Sequence, residues 1–220
     1  MPTGRPTVDI SDTATPGGRC PACGQPLFGW MEAPGSDPGD QRLHVMDRCE
    51  NCRLGLERED AGEALGDLIE RIEEQVTKAG EATLEVANGT SVQAGIGAEN
   101  WSALDLPAEP YLVNPKALDL LLEHEQLEIS RLSYPMRAAM AAMMLTLLNL
   151  ITFNRNFAAA ALRGRLHPST ARPGPAAYFV DTAITALAAI PVAIISVVLE
   201  GGASLARRGG VLRATIRRRG

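Results

Sequence analysis

Apolar residues recur at every third or fourth position between 60 and 79, at Ala61, Ala64, Leu65, Leu68, Ile69, Ile72 and Val76. That period puts them on one stripe of a helix. Asp60 stands where the helix needs a cap, Glu63 follows three residues on, and Gly80 stops it. The opposite face carries Glu63, Asp67, Glu70, Glu73 and Glu74 and predicts a solvated surface. The period then shortens to two. Leu84 and Val86 alternate with Thr83 and Glu85, which predicts a short strand. Pro115 behind the capping residue Asn114 predicts a second helix over 116–125, with Leu118, Leu121 and Leu122 facing a core. A second strand is predicted over 127–132 (LEISRL), ended by Pro135, and a third over 211–217 (VLRATIR).

Between the second and third strands the pattern is different. Of two apolar runs, 136-MRAAMAAMMLTLLNLITF-153 and 178-YFVDTAITALAAIPVAIISVVL-199, the second is long enough for the roughly 20 residues a membrane-spanning helix requires and the first comes close. The first is slightly short and holds Arg137. The second holds Asp181 near one end and Pro191 inside. Arg155, Arg163, Arg165 and Arg172 lie between the runs, and Arg207 and Arg208 follow them. Both sides of a hairpin are therefore basic, and the positive-inside rule selects no orientation. Three arrangements satisfy the pattern: helices lying in the interface with arginines reaching headgroups, helices that span, or an interface with a protein partner or a second copy.

Charge sharpens this division. Residues 1–130 hold 9 Lys/Arg against 24 Asp/Glu, a net of −15, whereas residues 131–220 hold 12 against 2, a net of +10. The acidic half argues against a nucleic-acid partner, since phosphates repel it. The basic, apolar half suits an anionic membrane surface. Residues 1–19 lack an apolar core, so no secretory leader is expected, and the cytoplasm or the cytoplasmic face of a membrane is the expected location. Their Pro, Gly, Thr and Asp content predicts a disordered tail over 1–17.

All four cysteines fall into one pattern, Cys20-Pro-Ala-Cys23 and Cys49-Glu-Asn-Cys52, with 25 residues between the pairs. A Cys-x-x-Cys turn aims two sulfurs at one metal, and two such knuckles supply the four soft ligands of a tetrahedral structural Zn²⁺. Pro21 and Gly24 suit the first knuckle, and Pro34, Gly35, Pro38 and Gly39 supply turns in the long intervening loop. The second knuckle is less ideal, because Arg53 follows Cys52 and glycine comes only at Gly55. Nothing in the context supports redox motifs or disulfides. So small a module has little core of its own, and the metal is expected to supply on the order of 10 kcal/mol of its folding energy. His44 is a weak substitute ligand, expected to be a solvated loop residue.

The stretch 83-TLEVANGTSVQAGIGAENW-101 contains Gly95-Ile96-Gly97. A phosphate-cradling loop needs a third glycine and a helix opening behind it, and neither is evident, so this reads as a flexible loop. No Ser/His/Asp or Cys/His set supports hydrolysis: His124 falls at a helix end, His167 lies beside Pro168, and the cysteines belong to the metal.

The succession of motifs is familiar. It runs from the knuckle pair and helix to Gly80-Glu-Ala-Thr-Leu-Glu-Val-Ala-Asn88, then Gly89, Ser91, Gln93-Ala94, Trp101 and Tyr111-Leu-Val-Asn-Pro115. It ends with a proline-bearing apolar helix, Glu200 and Arg207-Arg-Gly-Gly-Val211. This resembles the C-terminal half of class I S-adenosylmethionine-dependent methyltransferases that carry an N-terminal zinc ribbon. The resemblance covers residues 20–55 loosely and 60–217 in order. It implies that the last strand is inserted antiparallel between the two before it. It also implies that the cofactor-binding half is absent: a first strand with a Gly-x-Gly-x-Gly loop and an acidic residue ending the second strand belong between the ribbon and position 60, where only Arg53-Leu-Gly-Leu-Glu-Arg-Glu59 stands. Asn88 and Gly89 replace the Pro-Asn end of the family's fifth strand, so no substrate role passes to Asn88 or Trp101.

The resulting expectation is an α/β protein: a disordered tail at 1–17, a zinc ribbon at 18–58, a truncated methyltransferase-like three-stranded mixed sheet with helices at 59–135, an apolar helical insert at 136–205, and a final strand and basic tail at 206–220. The metal ligands are Cys20, Cys23, Cys49 and Cys52, with no catalytic or S-adenosylmethionine-binding residues. The expected function is a non-catalytic, membrane-associated scaffold or partner subunit. The alternatives are a methyltransferase active only with a partner chain, and a small zinc-ribbon membrane protein.

Overall fold

In the computed structural model, the described residues are 18–36, 42–59, 61–164 and 174–220. The expectations for the tail at 1–17, for Asp60 as a cap, for Pro38 and Gly39, and for Arg165, His167, Pro168 and Arg172 lie outside them.

The knuckle region builds an antiparallel sheet. β1 (Leu27–Pro34) pairs with β2 (Leu43–Cys49), β2 with β3 (Gly55–Glu57), and β3 with a two-residue strand from far along the chain, β5 (Tyr111–Leu112). The 19-residue α1 (Ala61–Ala79) buries Ala61, Leu65, Leu68, Ile72 and Val76, the stripe its period predicts. It ends where Gly80 takes φ +81° and its N–H donates to the Val76 carbonyl. β4 (Glu81–Ala87) follows, then the six-residue α2 (Val92–Gly97), a 3-10 turn at Ala98–Asn100, α3 (Pro115–His124) and β6 (Leu127–Ser133). After the insert, β7 (Val211–Arg218) returns between β4 and β6, giving the order β4-β7-β6.

This second sheet corrects the expected mixed sheet. β7 runs antiparallel to both neighbours, and β4 and β6, though parallel in direction, do not pair with each other. One face packs Ala82, Leu127, Leu212, Ala214 and Ile216 against α1 and α3. The other carries Thr83, Glu85, Arg131, Arg213 and Arg217 outward, with Arg213 paired to Glu85 at 2.6 Å and Arg217 to Glu128 at 2.8 Å.

The knuckles and the α/β unit share one core. Cys20, Cys49, Cys52, Leu54 and Leu56 pack in the same cluster as Leu65, Leu68, Val113, Leu118 and Leu122. The ribbon therefore draws apolar cover from α1 and α3 and is less dependent on its own few residues than its length suggests.

Among the described residues the insert forms three helices, α4 (Met136–Asn149), α5 (Phe157–Leu162) and α6 (Pro175–Leu205). The first apolar run does not continue to 153 as one helix. It breaks at Asn149, whose side chain donates to the Asn100 carbonyl (2.8 Å) and accepts from the Asn156 amide (2.7 Å). Among the described residues, only α6, with 31 residues, is long and apolar enough to cross a membrane, and very little of its apolar stretch is buried. Arg155, expected among lipid-facing arginines, instead turns inward and donates to the Pro34, Trp101 and Leu104 carbonyls.

Candidate metal centre

The four sulfurs converge because each knuckle is a tight hydrogen-bonded turn. In the first, the Cys20 amide donates to Gln25 O and the Gly24 amide to Cys20 O, both at 2.8 Å. In the second, the Cys49 amide donates to Leu54 O and the Arg53 amide to Cys49 O, both at 2.9 Å. Each turn needs a left-handed residue just after its second cysteine. Gly24 takes φ +70° without strain, whereas Arg53 takes φ +64° and bears the Cβ penalty. The imperfection expected in the second knuckle is thus placed at Arg53 and does not prevent the turn.

All four Sγ atoms lie within 4.8 Å of one another, with Cys20–Cys52 and Cys23–Cys49 at 3.5 Å. A tetrahedral ion with metal–sulfur bonds of about 2.3 Å needs sulfurs roughly 3.8 Å apart, and the donor set fits. Cys20, Cys49 and Cys52 are buried and Cys23 partly so, leaving little room for a fifth ligand or substrate. Burial pushes the Cys20 thiol up to about 11 and raises Cys52 as well, so these two ionise only beside a cation. Burial acts the same way on Cys23, but hydrogen bonds from the Gln25 amide, the Asn51 side chain and Cys49 outweigh it and bring the thiol to about 6.

Second-layer residues invisible to the cysteine pattern hold the knuckles to the body. The Asn114 side chain donates to Cys52 O at 2.8 Å while its oxygen caps α3 by accepting from Lys116 N and Ala117 N. Lys116 reaches the Asn51 carbonyl at 2.7 Å, and His124 lies 3.3 Å from Ala22 O. His44 is neither a ligand nor a solvated loop residue. It is buried on β2 with Nδ1 3.4 Å from Glu57 Oε1.

The glycine stretch is not a loop. Gly95-Ile96-Gly97 lies in α2, capped by Ser91, whose hydroxyl accepts from the Ala94 amide at 3.0 Å. Gly97 is glycine for packing: a Cβ there would meet Thr146 Cγ2 at 2.6 Å and Trp101 Cβ at 2.8 Å. Asn88 is a buried structural residue, donating to Gly209 O and accepting from Thr90 N. Trp101 is buried, with Nε1 3.3 Å from Gln93 Oε1. Gln93 donates in turn to Glu200 Oε2 at 2.6 Å.

An open cleft of about 680 Å³ lies between the end of β4, the loop at 102–109, α4 and α5. Glu85, Asp105 and Glu109 line it with alanines of α4 and α5, and burial together with the Asp105 charge raises the Glu109 carboxyl. Among the described residues, no cysteine, histidine or tyrosine lines it. No protein-family model, curated protein or solved structure matches this chain.

Proposed function

We propose that this chain is a non-catalytic, zinc-stabilised protein of the cytoplasmic face of a membrane, a scaffold or partner subunit descended from a class I S-adenosylmethionine-dependent methyltransferase. The observation that carries the membrane part is α6, whose Leu187, Ile190, Ile194 and Val198 are 82, 74, 62 and 68% exposed on one helix. A large exposed apolar patch is the mark of a membrane or protein interaction site. Zinc is the reading of four clustered soft donors with no open position, and such a site is structural. Thiolates kept for a metal also suit a reducing compartment. The order β4-β7-β6 with β7 antiparallel to both supports the descent, because the resemblance implies that arrangement.

A partner-dependent methyltransferase is the second reading, favoured by β4: among the described residues this seven-residue strand pairs on one side only and leaves an edge where another chain's sheet could continue. Three measurements test these readings. Metal analysis of the purified chain should find one zinc per chain, lost in Cys49→Ser, and the chain should sediment with anionic vesicles; zinc undiminished in the variant, or protein left in the supernatant, overturns the corresponding part. Calorimetric titration should show no S-adenosylmethionine site, and a micromolar site in the isolated chain would revive an enzyme.

A further inference from the structure

We infer that α6 lies in the plane of the membrane, its outer face immersed at the headgroup–acyl boundary of an anionic bilayer and both of its ends on the side of the α/β unit. This rests on the membrane reading above and specifies its geometry. The decisive feature is that α6 is bound to the same body at two places far apart along its axis. Near its start, buried Asp181 accepts from the Phe153 and Asn154 amides at 2.8 and 3.0 Å, and the next residue, Arg155, is fastened to the Trp101 and Leu104 carbonyls. Near its end, buried Glu200 accepts from Gln93 Nε2 at 2.6 Å and from the Gly210 amide at 2.9 Å. At 1.5 Å per residue these anchors are about 28 Å apart, nearly the thickness of the hydrocarbon core.

Along that length α6 is backed by α4, which starts with Met136 beside Gly201 and runs antiparallel to it. α4 is itself fastened to the body: Gln93 donates to Ala139 O at 2.8 Å, and Ser102 donates through its hydroxyl to Ala142 O and through its amide to Thr146. A spanning α6 would carry this layer with it into the bilayer. The irregular segment at 98–109, with the exposed carboxylates of Glu99 and Asp105, would then sit at hydrocarbon depth, where neither loops nor charges are tolerated facing lipid. Side-on, none of this enters lipid. The surface offered is the outer stripe of α6, extended by Phe153 and Phe179, which are 65 and 64% exposed.

Charge selects an anionic lipid surface as the occupant. Asp181 and Glu200 are the only acidic residues after position 130, and both are fully buried in internal hydrogen bonds. The insert thus presents no negative charge of its own, while Arg163 at one end and Arg137, Arg207 and Arg208 at the other are exposed.

The chain has two lysines, Lys78 and Lys116, both in the α/β unit. Arg163→Lys and Arg207→Lys add a reactive amine at either end of the apolar layer without changing charge. The zinc-loaded full-length variants are bound to sealed phosphatidylcholine vesicles with and without phosphatidylglycerol, treated with a membrane-impermeant amine reagent, and mapped by mass spectrometry. The expected result is binding that needs phosphatidylglycerol, with Lys78, Lys116 and both introduced lysines labelled from outside as fully as in detergent. Protection of either introduced lysine until detergent is added means that α6 spans, which overturns the in-plane geometry and leaves membrane association standing. A chain that stays in the supernatant as a stable dimer overturns both.

Discussion

Asn114 joins the four-cysteine cluster to the body, and its removal gives the most informative single perturbation. Its side chain is 2% exposed and makes three hydrogen bonds: it donates to Cys52 O at 2.8 Å and accepts from Lys116 N at 3.0 Å and Ala117 N at 3.2 Å. Asn114→Ala removes the cap of α3, worth about 1 kcal/mol, and orphans a buried carbonyl of the second knuckle, worth about 1–3 kcal/mol. The expected loss is about 2–4 kcal/mol, and at roughly 2–4 °C per kcal/mol for a chain of this size the midpoint falls by about 4–16 °C. Asn114→Asp separates the two parts. It keeps an acceptor for both amides but sets an oxygen against the Cys52 carbonyl, so α3 stays capped while the knuckle is disturbed. Thermal unfolding of the zinc-loaded protein reads the first effect, and competition with a chromophoric chelator reads the second. Both variants are expected to hold zinc more weakly, by about tenfold for each 1.4 kcal/mol lost at the knuckle. If Asn114→Asp holds zinc as tightly as the unaltered chain while Asn114→Ala melts early, Asn114 is only a helix cap and the proposed link to the metal centre is wrong.

Glu200→Ala leaves the buried Gly210 amide without its acceptor and should cost about 2–4 kcal/mol, read as a lower unfolding midpoint; an unchanged midpoint would mean that this anchor of α6 is idle. Ile190→Asp together with Ile194→Asp removes about 1–2 kcal/mol of burial per site at the bilayer and adds charge. Vesicle sedimentation should therefore show at least tenfold weaker binding with no change in unfolding, since both side chains are largely exposed. Arg53→Gly relieves a left-handed backbone of roughly 1–2 kcal/mol against a glycine entropy cost of about 0.5–1 kcal/mol, so the midpoint should rise slightly, and a marked fall would show that the Arg53 side chain is needed.

Much of this protein was legible in short windows of sequence because the physics involved is short-ranged. A Cys-x-x-Cys knuckle closes through hydrogen bonds to residues a few positions away, so the spacing of Cys20, Cys23, Cys49 and Cys52 was enough to bring them together on paper, and the coordinates gather them within 4.8 Å. The stripe from Ala61 to Val76, the Asn114-Pro115 start of α3 and the alternation in β7 are local in the same sense. What only the tertiary structure decided involves partners distant in sequence. Arg155 and Arg163 look alike in the sequence, but Arg155 meets carbonyls 121, 54 and 51 positions away, while Arg163 stays at the surface. Asn149 ends an apolar run whose composition favours continuing, because a distant carbonyl at Asn100 takes its amide. Gly97 is glycine because Thr146 and Trp101 crowd it in space, which no loop pattern reveals. Asp181 and Glu200 interrupt an apolar segment as if they were liabilities, yet their buried hydrogen bonds attach α6 to the body at both ends. A buried carboxylate is stable only where donors converge on it, and that convergence exists only in the folded chain.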